Sequence, residues 1–163
     1  MQSRRRAGAA VCAQAATGLL HRLRAPVALL VALLQRTPAV GMAAVGTRSD
    51  TLIAGFVVGG STSKTVLIRA SGPALNAFGV PGILADPQLS LYSGSALLGS
   101  NDGWGGDPQI AATASAVGGF FWGTDVTNSS AILITLPPGA NTAQVTGASG
   151  DTGVALVDVY EVP

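Results

Sequence analysis

The stretch DPQLSLYSGSALLGSNDGWGGD, residues 86–107, decides the fold of this chain. Within it Leu89 and Leu91 alternate with polar residues, as in a strand that buries one face. A Ser-Gly-Ser turn follows, and the run ALLG at 96–99 predicts a strand that returns beside the first. We therefore expect an antiparallel β-hairpin that ends in the polar, glycine-rich loop 100–106.

Further strand-like runs lie on both sides of this hairpin. Each is apolar, or alternates between apolar and polar residues, and is bounded by glycine, proline or small polar residues. The runs are 51–58, 64–70, 131–136, 142–146 and 154–162. Their spacing predicts an all-β, antiparallel β-sandwich, jelly-roll or Ig-like, of about seven to nine strands. The first two runs are joined by a few small polar residues, which predicts a second hairpin between them.

Two short helices are predicted between the strands. Residues 71–79 carry Pro73 near the start and Gly79 at the end, the positions that these residues favour in helices. Asp107-Pro108 begins the second helix, because aspartate caps free N–H groups and proline suits the first turn. The apolar residues of the second helix share one face, which would lie on the sandwich: Ile110, Ala114 and Val117.

Charge divides the chain into a leader and a domain. Seven of the nine basic residues lie at or before Arg48, and all eight acidic residues follow it. We assign residues 1–38 to a basic and apolar leader, disordered or helical, and residues 39–163 to the β-sandwich module. The apolar run 26–34 follows arginines, as in a secretory signal peptide, and is too short for a stable membrane span, which needs about 20 residues. The alternatives are an uncleaved basic amphipathic tail and a start that is not native to the domain.

Composition favours a folded, charge-poor domain. Charged residues make up 10% of the chain and apolar residues 48%, and 22 residues are glycine, which suits short strands joined by tight turns. After Arg48 there are two basic and eight acidic residues, a net charge of −6, so we expect no nucleic-acid partner. The single cysteine, Cys12, excludes an internal disulfide, and it lies in the leader together with His21, the single histidine.

The best metal-site candidate is a group of oxygen-bearing side chains in and around the loop. Asn101, Asp102 and Asp107, with Asp86 as a fourth ligand, are the hard oxygen donors that Ca²⁺ prefers. Their spacing does not match an EF-hand. The alternative is that Asn101 and Asp102 form hydrogen bonds within turns and that Asp107 caps the second helix. No other cofactor is expected.

Trp104 is flanked by glycines and is the candidate anchor of a binding face, with Asn101 and Asp102 beside it. An exposed tryptophan can stack on a sugar ring or pack into a protein, so a polysaccharide or a surface protein is the expected partner. The alternative is that the ring closes one end of the sandwich.

The residues give little support to an enzyme. No serine lies in a G-x-S-x-G elbow, and no glycine-rich turn precedes a phosphate-binding lysine. A carboxylate pair such as Asp102 with Asp107 could do glycosidase chemistry, and this is the remaining catalytic hypothesis.

Several blocks of sequence resemble known exported modules. DPQLSLY at 86–92, LGSND at 98–102, LPPG at 136–139 and TAQVTG at 142–147 resemble the bacterial pre-peptidase C-terminal domain, a β-sandwich appended to secreted enzymes and surface proteins. Other blocks cover most of 45–163 and resemble a repeat module of large exported proteins of environmental bacteria. These blocks are TLIAGFVVGG at 51–60, KTVLIRASGPAL at 64–75, FGVPG at 78–82, LADPQLSLYSG at 84–94, NDGWGG at 101–106 and GVALVDVYEV at 153–162.

The resemblance implies a β-sandwich, secretion or a place on the cell surface, and a further strand at 39–46. Some pre-peptidase relatives bind calcium and some bind collagen or other polymers, but none of their ligand motifs recurs in this sequence. The first functional hypothesis is therefore a non-catalytic accessory or binding module of an exported protein. The second is a structural spacer whose edge strands stack on neighbouring copies of the module, and the third is the carboxylate-based hydrolase.

Overall fold

The protein is a sandwich of two β-sheets. The computed structural model describes residues 29–34, 39–45, 51–123 and 128–163. The strands within them are β1 (Leu29–Leu34), β2 (Ala39–Val45), β3 (Leu52–Val58), β4 (Lys64–Ser71), β5 (Pro87–Ser93), β6 (Ala96–Asn101), β7 (Ser130–Leu136), β8 (Gly139–Gly147) and β9 (Gly153–Glu161). The first sheet has the order β1-β3-β8-β5-β6, and the second has the order β2-β9-β4-β7.

Strands β2 to β9 have the order of a jelly roll. Numbered from β2, the two sheets read 1-8-3-6 and 2-7-4-5, the arrangement of two Greek keys in two four-stranded sheets. All their pairings are antiparallel, and β1 adds to the outside of β3 in parallel. The prediction of an antiparallel β-sandwich is confirmed, and the jelly-roll alternative is the one observed.

The predicted hairpin at residues 86–107 is confirmed, and the other predicted hairpin is wrong. Among β1 to β9, only β5 and β6 are consecutive strands that share a sheet. Strands β3 and β4 lie in different sheets, where β3 pairs with β1 and β8, and β4 pairs with β7 and β9. Small polar residues between two strands fit a crossover between sheets as well as a tight turn, so they did not distinguish the two.

The core lies between the two sheets and follows the alternation of the strands. Leu52 and Phe56 of β3 and Leu89 and Leu91 of β5 are buried there against β4, β7 and β9. Along β3, buried and partly exposed residues alternate without exception. The first sheet therefore turns its second face outward, as expected for an antiparallel sheet with one face on the core.

Helices connect some of the strands and cover part of the second sheet. A 3₁₀ helix, Pro73–Phe78, follows β4 and ends at Gly79 in the left-handed conformation, as predicted. An α-helix, α1 (Pro108–Ala116), begins at the predicted cap Asp107, and a short 3₁₀ helix, Ala148–Gly150, precedes β9. Among the described residues, no helix has the length and apolarity that crossing a membrane requires.

The described residues include the end of the predicted leader. Residues 29–34 form β1, and the strand implied at 39–46 by the resemblance is β2. The other residues of the leader, with Cys12 and His21, lie outside the described residues. The boundary at residue 38 stays a prediction.

Candidate binding pocket on the outer face of the second sheet

The outer face of the second sheet is covered by a second apolar layer. Residues 66–71 of β4 and 155–160 of β9 are buried without alternation, so both faces of these two strands are covered. The cover consists of α1 and the segment 117–123, which supply the residues packed on this face. These residues are Ile110, Ala114, Val117, Phe120 and Trp122. The apolar helix face predicted from the sequence is thereby confirmed.

Arg69 lies in this layer, and only 1% of its surface is exposed. Its Nε lies 3.3 Å from Oδ1 of Asp158, the residue opposite it on β9, and its Nη1 donates a hydrogen bond of 2.9 Å to the backbone oxygen of Phe120. The guanidinium carbon lies 4.6 Å from the ring centroid of Phe120 and 4.5 Å from that of Trp122, which are cation–π distances. Nη2 has no hydrogen-bond partner among the described residues.

Asp158 is as deeply buried as the arginine that it faces. Its Oδ2 accepts a hydrogen bond of 2.9 Å from the hydroxyl of Tyr160. Burial raises the pKa of the Asp158 carboxyl from 3.8 to about 6, and this effect outweighs the Arg69 charge and the Tyr160 hydrogen bond, which both lower the pKa. The charge of Arg69 is therefore balanced at neutral pH and less so in mildly acidic solution.

Two tryptophans line this region and contact each other. The indole rings of Trp104 and Trp122 meet edge to face, with centroids 5.5 Å apart and planes at 68°. Trp122 is buried, and its Nε1 donates a 2.8 Å hydrogen bond to Oγ of Ser71. The backbone nitrogen of Trp104 donates a 2.9 Å hydrogen bond to the oxygen of Ser129, and its side chain is partly exposed. Trp104 thus packs on the sandwich and keeps some of its ring at the surface.

An open pocket of about 400 Å³ lies between α1 and the segment 117–123. Its lining is mostly aromatic and aliphatic, with the guanidinium of Arg69 as the charged group. The lining residues are Arg69, Trp104, Ile110, Ala111, Ala114, Ser115, Gly118, Gly119, Phe120, Phe121 and Trp122. Phe121 is 85% exposed, which is unusual for a phenylalanine. A concave, mostly apolar site of this size with a charged group in its lining is typical of ligand pockets.

The loop before α1 places Trp104 through hydrogen bonds made by Asn101. The Asn101 Oδ1 accepts bonds from the backbone nitrogens of Gly103, at 3.2 Å, and of Ala131, at 3.0 Å, and Nδ2 donates to the oxygen of Gly103 at 3.1 Å. Gly105 and Gly106 have φ of +67° and +70°, the left-handed conformation that glycine adopts without strain. The path of the loop thus explains two glycines of the NDGWGG motif, Gly105 and Gly106.

The aspartates predicted as metal ligands have different surroundings. Oδ1 of Asp107 accepts bonds from the backbone nitrogens of Gln109, at 2.7 Å, and Ile110, at 3.4 Å, so its carboxylate caps α1. Asp102 is exposed, and Asp86 is half-buried and accepts a 2.8 Å hydrogen bond from the nitrogen of Ala148 with its backbone oxygen. In the part of the chain that the structure describes, no three His, Cys, Asp or Glu side chains form a group that could hold a metal ion. Calcium binding by Asp86, Asn101, Asp102 and Asp107 stays a prediction.

Of the residues predicted to bind a ligand, Trp104 lines the pocket, and Asn101 and Asp102 belong to the loop that carries it. The other notable residues of the lining, Arg69 and Phe121, were not among the residues predicted to bind a ligand. One signal was present: the face that carries Arg69 also carries Leu67, and the corresponding face of β9 carries Tyr160 with Asp158. Large apolar groups on a supposedly exposed face indicate a further covering layer.

Comparison with known proteins gives a fold and no family. No protein-family model matches the sequence, and no curated protein matches it. Among solved structures, the chain is similar to the pre-peptidase C-terminal domain of a collagenase from Bacillus anthracis, with 12% identity and a TM-score of 0.50. The match covers 83% of this chain and 98% of that domain. The distant resemblance seen in the sequence is thus confirmed at the level of the β-sandwich fold.

Two weaker matches also cover nearly the whole length of the other chain. The periplasmic inhibitor PliG of g-type lysozyme from Aeromonas hydrophila has 11% identity and a TM-score of 0.44, with 83% of this chain and 98% of that chain covered. The surface-associated copper-binding protein CorA of Methylomicrobium album BG8 has 13% identity and a TM-score of 0.44, with 84% and 100% covered. Likenesses of this strength carry no information about the site of this protein.

Proposed function

We propose that this chain is a non-catalytic binding module of an exported or cell-surface bacterial protein, and that its ligand enters the aromatic pocket. One observation carries the proposal: Phe121, with 85% of its surface exposed, stands at a pocket that Trp104 and Trp122 also line. An apolar ring exposed to water is unfavourable by itself. Burying it against a partner stabilises the complex by about 25 cal/mol for each Å² of apolar surface that is covered. Exposed aromatic rings beside a cavity are therefore typical anchors of an interface.

The construction of the pocket supports this role. The core between the sheets is made by strands of both sheets, whereas the pocket is lined mainly by α1 and the segment 117–123, which cover the outside of the second sheet. Polar groups fix this layer on the sheet; for example, the indole N–H of Trp122 donates a hydrogen bond to Oγ of Ser71. The lining offers aromatic surface and one guanidinium, which suits binding better than bond-breaking chemistry.

The expected ligand belongs to an extracellular polymer, either a polysaccharide or a surface protein. Flat aromatic rings stack on sugar rings and equally accept apolar side chains. The likeness of the fold to a domain of a collagenase supports an accessory role beside a larger exported protein. A net charge of −6 after Arg48 makes strongly acidic polymers unfavourable partners.

Retention on immobilised polymers tests the proposal. The protein is passed over cellulose, chitin and gelatin, and the Phe121→Ala variant is compared with Leu97→Ala. Leu97 is the matched control because it is also apolar and exposed, at 56%, but lies on β6 outside the pocket lining. We expect retention of the wild type and of Leu97→Ala on at least one polymer, and its loss in Phe121→Ala. Equal retention of the two variants would show that binding does not use the pocket.

A second candidate function, the structural spacer, is favoured by the edge strand β6. Leu97 and Leu98 are exposed there, at 56% and 40%, and the strand carries no charged residue. Gly99 lies opposite Leu91 and Leu97 opposite Tyr92, so Leu98 is the extra residue of a β-bulge. Bulges protect sheet edges from pairing, and exposed leucines favour pairing, so the edge has one feature of each kind.

The spacer has its own test. If copies of the module stack through β6, the protein should self-associate in light scattering, and Leu97→Lys should make it monomeric. A wild-type monomer at all accessible concentrations would contradict stacking. The hydrolase hypothesis has less support, because the Asp107 carboxylate is already occupied as the cap of α1. It would require an activity that Asp102→Asn removes.

A further inference from the structure

We propose that the pocket recognises a single carboxylate carried on an apolar, ring-sized body, and that Arg69 is the residue that binds the carboxylate. The proposal rests on the proposed function, because it names the chemistry of the group that enters the same pocket. It adds a charged contact that neither the sequence motifs nor the exposed rings imply.

Among the described residues, Nε and Nη2 of Arg69 have no hydrogen-bond partner, and Nη2 is the nitrogen that we assign to the ligand. An arginine carries five N–H groups in a planar fork and always keeps its charge. Nε faces Asp158 at 3.3 Å, and Nη1 donates to the backbone oxygen of Phe120 at 2.9 Å. Nη2 has no partner among the described residues although the side chain is 1% exposed. A buried donor of this kind is matched best by a charged acceptor, since hydrogen bonds between ions are the strong ones.

The position of the guanidinium is fixed by its surroundings. It lies over the rings of Phe120 and Trp122, and a Cβ built on Gly119 would lie 2.6 Å from its Nη1. The segment 117–123 therefore approaches the arginine as closely as a backbone without side chain allows. A guanidinium held in place in this way loses little further freedom when it binds, which favours a specific contact over a loose charge attraction.

The walls of the pocket determine the rest of the ligand. Ile110, Ala114 and the rings of Trp104 and Phe121 offer apolar surface, and a cavity of about 400 Å³ has room for one ring with a short chain. A ligand with several carboxylates would meet a domain of net charge −6 and, among the described residues that line the pocket, only one guanidinium. A single carboxylate on a ring fits both facts. It is found in free aromatic acids and at the end of a polypeptide that finishes with an aromatic residue.

The direct test compares an acid with its neutral amide. Both tryptophans of the chain line the pocket, so their fluorescence reports on its occupation. The probes are 3-phenylpropanoate and 3-phenylpropanamide, which share the ring and differ in the charge. A second pair, acetyl-Gly-Gly-Phe and its C-terminal amide, separates a free acid from a chain end. We expect a saturable change with the acid of at least one pair, and a dissociation constant at least about tenfold weaker for the matching amide.

Variants on the exposed side of α1 show whether binding occurs in the pocket. Ala111 lines it and Ala112 does not, and both are exposed, so Ala111→Phe fills the pocket while Ala112→Phe is the matched control. We expect binding of the acid to be lost in Ala111→Phe and retained in Ala112→Phe. Arg69→Lys should weaken the binding of the acid and leave the binding of the amide unchanged, because lysine lacks the planar fork of donors that arginine has.

Each remaining outcome overturns the inference. Equal affinity for acid and amide would show that charge is not recognised, and the proposed function would still stand on the polymer experiment. No saturable binding of either acid up to about 10 mM, a concentration at which even weak ligands bind, would also overturn it. So would binding that Ala111→Phe does not change. If Arg69→Lys does not fold, the comparison of Ala111→Phe with Ala112→Phe and the comparison of acid with amide still test the inference.

Discussion

Arg69 and Asp158 are opposite charges enclosed by aromatic and aliphatic side chains. A charge without water needs a partner, and removing one member of a buried pair typically costs about 3–5 kcal/mol. In this protein the pair lies on neighbouring strands, directly opposite in register, with Tyr160 donating to the carboxylate. The arginine that we propose to bind a ligand is thus also part of the packing, so its variants must be read with stability measured alongside binding.

The pH dependence of stability tests the burial of Asp158. Its folded-state pKa of about 6 lies above the ordinary value of 3.8, so the native state binds more protons than the unfolded chain between these values. The stabilisation from this group is therefore complete below about pH 4 and is lost as the pH rises through about 6. We expect the free energy of unfolding of the wild type, measured in urea relative to that of Asp158→Asn, to rise by up to about 3 kcal/mol from pH 7 to pH 4. A fall of this difference on acidification would mean that Arg69 holds the pKa of Asp158 below its ordinary value.

Gly119 is required by the close approach of its segment to Arg69. A Cβ there would lie 2.6 Å from Nη1 and 3.1 Å from the backbone oxygen of Ala114. We expect Gly119→Ala to lower the free energy of unfolding by about 1–3 kcal/mol, because the segment or the arginine must move. Gly99→Ala is the control, since a Cβ on Gly99 meets nothing within 4 Å. If both changes had the same small effect, the segment would not be held against the arginine.

Among the elements, α1 and its loop determine whether the pocket exists. The carboxylate of Asp107 satisfies free N–H groups at the helix start, and such a cap contributes about 1 kcal/mol. We expect Asp107→Ala to destabilise the protein by this amount and to weaken ligand binding, because α1 forms one wall of the pocket. Asp102 is an exposed carboxylate of the same loop. We expect Asp102→Ala to change neither the stability, measured by thermal melting, nor the ligand affinity, measured by titration. A larger effect for Asp102 would contradict the assigned roles.

Calcium binding by the same loop is decided by one melting experiment. If Asp86, Asn101, Asp102 and Asp107 bind the ion, millimolar Ca²⁺ should raise the melting temperature and a chelator should reverse the rise. The Asn101 Oδ1 already accepts two backbone hydrogen bonds, so a ligand role would have to add to this contact. The absence of any shift would assign these side chains to the loop alone.

The elements also show what sequence could predict. The cap at Asp107, the helix face with Ile110 and the hairpin of β5 and β6 follow from local spacing, and all three are observed. The strands with which β3 and β4 pair could not be predicted in this way. Whether two consecutive strands pair or cross to the other sheet depends on contacts with strands far along the chain, and the residues of a short linker suit both.

At the scale of the whole molecule, alternation predicted the inner core and missed the outer layer. The alternation of residues along a strand shows which of them share a face of the sheet. It does not show whether that face is covered. Arg69 and Asp158 lie on the faces of β4 and β9 that point away from the inner core, and the cover over them comes from α1 and 117–123, distant in sequence. The pocket exists only in this tertiary arrangement, so of its lining Trp104 alone was predicted as a binding residue.

We propose that the binding face of the molecule is this pocket and not the sheet edge at β6. Amide and indole N–H signals followed by NMR during titration with cellotetraose, chitotetraose and a gelatin hydrolysate test it most directly. We expect at least one of these ligands to shift the indole signal of Trp104 and the amide signals of Gly118 and Gly119, while the amide signal of Leu97 on β6 does not shift. Movement confined to β6, or no movement of the pocket signals with any of the three, would contradict it.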